Sequence, residues 1–214
     1  MRAWGIVVAG GRGTRYGRPK QLDDLAGRPL IDWAIDAVRP VCDGVVVVLD
    51  AALVEGAKVD ADAVVAGGDT RAASVRAGLA AVPGEPDAIL VHDAVRPLAT
   101  PELAARVLAA VAGGADGAVP SVPVVDTLKR VDGSRVTATV DRSELVAVQT
   151  PQAFRTEVLR RAHAAGGDAT DDAGLVEAAG GTVVVVEGER DNLKVTWPED
   201  LAVAEALLAA RQGR

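Results

Sequence analysis

Ala3-Trp4-Gly5-Ile6-Val7-Val8-Ala9-Gly10-Gly11-Arg12-Gly13-Thr14-Arg15-Tyr16-Gly17-Arg18-Pro19-Lys20-Gln21 opens the chain, and its reading decides the fold. Seven apolar or small residues in an unbroken run suit a strand buried on both faces, the mark of a parallel sheet covered by helices. The glycines behind it let the backbone turn tightly and aim successive N–H groups at an anion. Three arginines and one lysine fall within the nine residues 12–20. Only four of the chain's 23 Lys and Arg are lysines, so Lys20 beside Pro19 stands out from its background. A Walker loop is excluded because no Gly-Lys-Ser/Thr follows. A dinucleotide fingerprint is excluded because its third glycine would fall on Tyr16. What remains is a triphosphate loop rather than a merely solvated basic turn.

Working outward, short apolar runs recur at 44–49, 63–66, 88–91, 118–122 and 182–186. Helical patterns lie over 29–38, 71–82, 101–112, 156–164, 171–179 and 198–211. Thr100-Pro101-Glu102 and Trp197-Pro198-Glu199 read as helix starts, with proline at the first helical position and acid in the first turn. This alternation predicts an α/β fold: a mostly parallel, Rossmann-like sheet flanked by helices in one domain spanning 1–214. Ligands of such sheets bind outside the carboxyl ends of the strands. One segment breaks the rhythm. Residues 126–131 and 135–140 alternate polar and β-branched side chains around Asp132-Gly133, a strong hairpin signal. A lone hairpin is marginal and needs something to pack on. The reading is a protruding β-hairpin arm at about 124–148 that leans on another subunit, which predicts a homo-oligomer; the alternative is a hairpin folded onto its own sheet.

Two further loops sit where ligands are expected. Gly67-Gly68-Asp69-Thr70-Arg71-Ala72-Ala73-Ser74 follows a strand and opens a helix, so Ser74 could meet a base or ribose, while Asp69 or Thr70 could simply cap the helix. Val91-His92-Asp93-Ala94-Val95-Arg96-Pro97 puts an aspartate at a strand's carboxyl end, suited to a divalent cation on phosphates or to a ribose hydroxyl. His92 reads as a structural imidazole in preference to a general base.

Composition narrows the classes. The 214 residues carry a net charge of −7 and 2% aromatics, against a general nucleic-acid or membrane-surface binder and against a base-stacking platform. Trp4, Trp33 and Trp197 therefore read as packing or helix-start residues. A single cysteine, Cys42, offers no internal disulfide and fits a reducing cytoplasm. No signal-peptide pattern and no membrane-length apolar run is present, so the expectation is a soluble cytoplasmic protein.

With these loops in view, the chain resembles the 2-C-methyl-D-erythritol 4-phosphate cytidylyltransferases, CTP-dependent enzymes of the non-mevalonate isoprenoid pathway. The likeness rests on Ala9-Gly10-Gly11-x-Gly13-x-Arg15, Pro19-Lys20-Gln21, Gly67-Gly68-Asp69-x-Arg71-x-x-Ser74 and Val91-His92-Asp93-Ala94-x-Arg96-Pro97. It continues in order through Asp126-Thr127-x-Lys129, Thr139-Val140-Asp141-Arg142, Gln149-Thr150-Pro151-Gln152, Thr170-Asp171-Asp172-Ala173 and Asp191-Asn192-x-Lys194-Val195-Thr196. Val95 stands where alanine is usual, Arg12 and Thr14 vary the glycine loop, and Asp172 takes a place often held by glutamate.

The resemblance implies transfer of CMP from CTP to a methylerythritol phosphate with release of pyrophosphate. It implies that Arg15 and Lys20 stabilise the transition state, and that Arg142 and Lys194 hold the acceptor. Ala9, Gly10, Gly11, Gly13, Gly68, Asp69, Ser74, Asp93 and Ala94 would surround the nucleotide. Asp93, Arg96, Thr127, Arg142, Thr150 and Lys194 would meet the acceptor. Mg²⁺ or another divalent cation would be held by Asp93 and Asp191, or by phosphates and water alone. A homodimer with arm residues completing the neighbour's site is implied as well. The competing readings are a cytidylyltransferase for ribitol 5-phosphate or another polyol phosphate, a sugar-1-phosphate or molybdopterin nucleotidylyltransferase, and a non-catalytic nucleotide-binding module.

Overall fold

The computed structural model describes residues 1–10 and 20–212. In chain order the first half runs β1 (Ala3–Ala9), β2 (Asp24–Leu25), β3 (Arg28–Pro29), α1 (Leu30–Val38), β4 (Gly44–Leu49), α2 (Ala51–Val54), β5 (Ala63–Ala66), α3 (Arg71–Ala81), β6 (Ala88–Asp93) and α4 (Pro101–Ala112). The second half runs β7 (Gly117–Pro123), β8 (Leu128–Asp132), β9 (Arg135–Val140), β10 (Val146–Val148), β11 (Gln152–Arg155), α5 (Thr156–Ala164), α6 (Asp172–Ala178), β12 (Val183–Glu187) and α7 (Glu199–Gln212).

The central sheet is ordered β10-β7-β11-β6-β1-β4-β5, with β12 also paired to β7. β1 pairs in parallel with both β4 and β6, and β4 with β5. Successive side chains of a strand point to opposite faces. Val7, Val45, Val47 and Leu90 therefore meet α1 and α4 on one side, while Ile6, Val46, Val48, Ile89 and Val91 meet α3 and α5 on the other. Both faces being covered, β4 (Gly-Val-Val-Val-Val-Leu) is buried at every residue, which is why its sequence is continuous rather than alternating.

Helix starts follow their side-chain chemistry. Thr100 Oγ1 accepts from Leu103 N at 3.1 Å ahead of Pro101, and Thr70 Oγ1 accepts from Ala73 N at 3.1 Å. At α7 the acceptor is Asp200, whose carboxylate takes the N–H groups of Thr196 and Trp197 at 2.7 and 2.8 Å. Trp197 is 51% exposed, so it belongs to the helix start and not to the core. Trp33, by contrast, packs against the small apolar cluster under α7 and donates to the Leu25 carbonyl at 3.0 Å.

β11 runs antiparallel between β6 and β7, a reversal absent from the parallel pattern read in the sequence. Phe154 is fully buried there, and a Cβ on Gly117 of β7 would lie 2.5 Å from its ring. The hairpin β8–β9 forms its own two-stranded sheet and does not join the central one. Its loop begins at Gly133, whose φ of +54° is the backbone a type II′ turn asks of its first central residue.

Candidate active site

A cavity of about 820 Å³ opens at the carboxyl ends of β1, β4, β5 and β6. Its wall is made by Val8, Ala9 and Gly10 after β1, Asp50 and Ala51 after β4, Gly67 to Arg71 and Ser74 around the start of α3, and Asp93 and Val95 after β6. Lys20 and Gln21 close it from the opening loop, and Lys194 from the stretch between β12 and α7.

Gly10 and Gly67 both approach one hydroxyl. Ser74 is buried, and its Oγ lies 3.0 Å from the Thr70 carbonyl and 3.4 Å from that of Gly68. A Cβ on Gly67 would lie 2.7 Å from that oxygen, and one on Gly10 3.1 Å from it. Glycine is required here for close approach of backbone to side chain. Thr70 caps α3, so the capping reading of this loop holds, and both Thr70 and Ser74 line the cavity.

Asp93 is the charge around which the cations gather. Its Oδ2 accepts from Lys194 Nζ at 2.7 Å and its Oδ1 from Arg71 Nε at 3.3 Å. Burial by itself pushes this carboxyl up; Arg71, then Lys194 with its hydrogen bond, outweigh that and hold it well below the usual carboxylate range. Lys20 reaches the same region, its Nζ donating to the Thr196 carbonyl at 3.3 Å, two residues beyond Lys194. Lys20 and Lys194 thus reach one cavity from opposite ends of the described chain.

Several residues read as site residues stand behind it or elsewhere. Thr150 is buried, and its hydroxyl accepts from Asp93 N at 3.0 Å and shares a hydrogen bond with His92 Nδ1 at 2.9 Å. It shapes the end of β6 rather than the cavity wall. His92 has no exposure, and burial drives its imidazole down to about 4, so it is neutral and structural. Ala94 is buried, with its N–H on the Val8 carbonyl at 3.0 Å. Arg96 spends its guanidinium on the carbonyls of Asn192 at 2.8 Å and Val148 at 3.4 Å and does not line the cavity. Asp191 does not line this cavity, and Arg211 grips its carboxylate at 2.8 and 2.7 Å. Thr127 is exposed near the hairpin. Arg142 borders a separate cavity of about 550 Å³ with Val124, Leu145, Val146 and Val185, and donates to the Val125 carbonyl. Gly11, Gly13 and Arg15 lie outside the described residues.

Three polar lining residues have no role assigned from sequence: Arg71, Asp50 and Gln21. Asp50 carries the same signal that exposed Asp93, an aspartate at a strand's carboxyl end. Arg71 was visible as the first residue of a helix behind a glycine pair, where a cation opposes the helix dipole and so calls for an anionic partner.

The sequence profile of the 2-C-methyl-D-erythritol 4-phosphate cytidylyltransferases matches residues 4–210. The chain belongs to that family. A cytidylyltransferase of this name from Rubrobacter xylanophilus is 49% identical over 222 residues, covering 98% of this chain and 96% of the relative. One from Rhodococcus jostii is 47% identical over 212 residues, covering 95% and 93%. Among solved structures, the cytidylyltransferase of Thermus thermophilus superposes with a TM-score of 0.81 at 38% identity, over 95% of this chain and 98% of that one. The Francisella tularensis enzyme gives 0.83 at 25% identity, over 96% and 99%. The central sheet and its flanking helices are thus the cytidylyltransferase fold, with the cavity at the strand ends where α/β sheets take their ligands.

Proposed function

We infer that this chain carries out its family's reaction in the 820 Å³ cavity, with Lys20 and Lys194 as the cations that bring the two phosphates together. The reaction is transfer of CMP from CTP to 2-C-methyl-D-erythritol 4-phosphate. An oxygen of the acceptor's phosphate bonds to the α-phosphorus of CTP, the bond from that phosphorus to the β-phosphate oxygen breaks, and pyrophosphate leaves with its electron pair. The acceptor monoester is largely dianionic at neutral pH, its second pKa being about 6. It needs no side chain to deprotonate it, and the neutral, buried His92 supplies no base. The obstacle is repulsion between two polyanions while charge builds on the leaving group, and fixed cations remove it. The observation that carries the reading is the meeting of Lys20, Lys194 and Asp93 at one cavity from three distant parts of the chain.

A divalent cation fits this donor set in one way. Among the described residues there is no group of three or more His, Cys, Asp or Glu side chains suited to a metal. Asp93 offers one ionised carboxylate, and Mg²⁺ is characteristically held by one or two carboxylates together with substrate phosphates and water. Asp93, on the cavity wall, would hold it; Asp191 does not line that cavity. Once bound, the ion neutralises charge shared between the phosphates.

The arm is read as an interface with a second copy of the chain. Val125, Val131, Val136, Leu145, Val146 and Val148 are all more than a third exposed along it, and Thr127 and Arg142 stand away from the cavity of their own chain. A homodimer in which those two residues serve the neighbour's acceptor site accounts for both facts. Pyrophosphate release tests the reaction: CTP with Mg²⁺ and 2-C-methyl-D-erythritol 4-phosphate yields it, CTP alone does not. Equal turnover with ribitol 5-phosphate would move the substrate assignment, and no release with any polyol phosphate would overturn the enzyme.

A further inference from the structure

Arg71 opens α3 at the cavity wall, yet only part of its guanidinium faces the cavity. Nε reaches forward to Asp93 at 3.3 Å, and Nη1 reaches back to Asp172 Oδ2 at 2.7 Å. Asp172, the first residue of α6, has no exposure and does not line the cavity. Its other oxygen lies 2.9 Å from Nε2 of His163, on α5 and itself buried. Lys194, Asp93, Arg71 and Asp172 therefore form a row of alternating charge that runs from the cavity into the interior.

We propose that Asp172 and His163 are positioning residues: they fix Arg71 from behind, and Arg71 fixes the Asp93 carboxylate opposite Lys194. The proposal rests on the cytidylyl-transfer reading of the cavity. Three observations support it. First, among the described residues the guanidinium meets only two partners, both carboxylates, so losing either leaves its orientation unset. Second, a planar guanidinium can face two carboxylates at once, which the single ammonium of lysine cannot do in the same geometry. Third, Asp93 must serve Lys194 and the phosphates without swinging toward either. A carboxylate held on one oxygen by a cation anchored from behind keeps the other oxygen aimed. Groups behind the reacting side chains hold them within tenths of an ångström of working geometry, and such supports are where catalytic precision is lost first.

The test is a double-mutant cycle on the intact protein with Asp172→Asn, Arg71→Lys and the pair, following kcat, both KM values and Tm. Asp172→Asn keeps the shape and removes the charge, and it should lower kcat about 10- to 100-fold, as loss of outer supports does at other charged sites. KM for CTP should stay within about two-fold, the scatter of additive effects. In the Arg71→Lys background, Asp172→Asn should cost nothing further, because the link is already cut. Asp172→Glu, which restores the charge, should recover most of the lost kcat. Wild-type kcat in Asp172→Asn, or multiplicative losses in the pair, would overturn the proposal. If Asp172→Asn does not fold, His163→Phe takes its place in the cycle, and the same results support or overturn the positioning role. The wild-type enzyme in the same assay keeps the two readings apart: absence of product there sinks the assigned reaction, whereas product with multiplicative losses sinks only the positioning role.

Discussion

Lys20 and His92 show how differently two polar residues near one sheet edge can behave. Lys20 lies on the cavity wall, and Lys20→Ala should slow turnover about 10²–10³-fold while CTP binding changes far less, since its charge matters most as pyrophosphate departs. Steady-state kcat and an equilibrium CTP titration check it, and a near-normal kcat would remove Lys20 from the mechanism. His92 lies behind that wall, fully buried. Its imidazole is driven by burial from the ordinary 6.5 down to about 4, so between those values the unfolded chain binds a proton that the folded chain refuses. Stability should fall as pH drops from about 6.5 to 4 through this residue, and a His92→Gln variant should show a flatter denaturation midpoint across that window. Asp93 adds its own loss only below the ordinary carboxylate value, because its folded carboxyl sits lower still. At this scale the sequence spoke through residue type and place. Asp93 and Lys20 were legible because a charge at a strand end or behind glycines has little structural use. The link from Arg71 to the Asp172–His163 pair was not, because its two ends come from segments far apart in the chain.

Elements were the most legible level, wherever local chemistry alone builds them. The helices over Pro101–Ala112 and Thr156–Ala164 match the sequence reading end to end, as cap chemistry and periodicity act within a few residues. Thr100→Ala should cost about 0.5–2 kcal/mol through loss of the cap to Leu103 N, visible as a lowered Tm with kcat intact. An unchanged Tm would mean that Pro101 and Glu102 suffice to start the helix. β11 escaped the reading because four residues, Gln-Ala-Phe-Arg, carry no period, and its direction is set by β6 and β7 on either side. The hairpin turned where Asp132-Gly133 signalled it, one residue further along: Gly133 opens the loop and Asp132 still pairs with Arg135.

For the whole molecule, sequence could foresee a hairpin separate from the central sheet, but not that the end of the 124–148 segment, β10, returns to pair with β7, nor what the hairpin touches. Val131 and Val136 are exposed on the hairpin, and Val146 and Val148 on β10 at the edge of the central sheet. If Thr127 and Arg142 work in a neighbouring subunit, mixing Arg142→Ala with Lys20→Ala chains should return some activity, because one of the two mixed sites then holds both side chains intact. No recovery in verified heterodimers would mean that each chain works alone. The net charge of −7 adds a second whole-molecule expectation. Every phosphate approaches against the overall field and is captured only by the local cations, so added salt should screen repulsion and attraction together, leaving kcat/KM for CTP only weakly dependent on ionic strength.

The cavity takes one lysine from just behind the first strand and another from just before the last helix. It has no partial form. A nascent chain that has released β1 through β6 from the ribosome already contains Asp93, yet the carboxylate waits without Lys194 until the stretch after β12 is made. Catalytic competence therefore arrives only once Lys194 has been made, all at once.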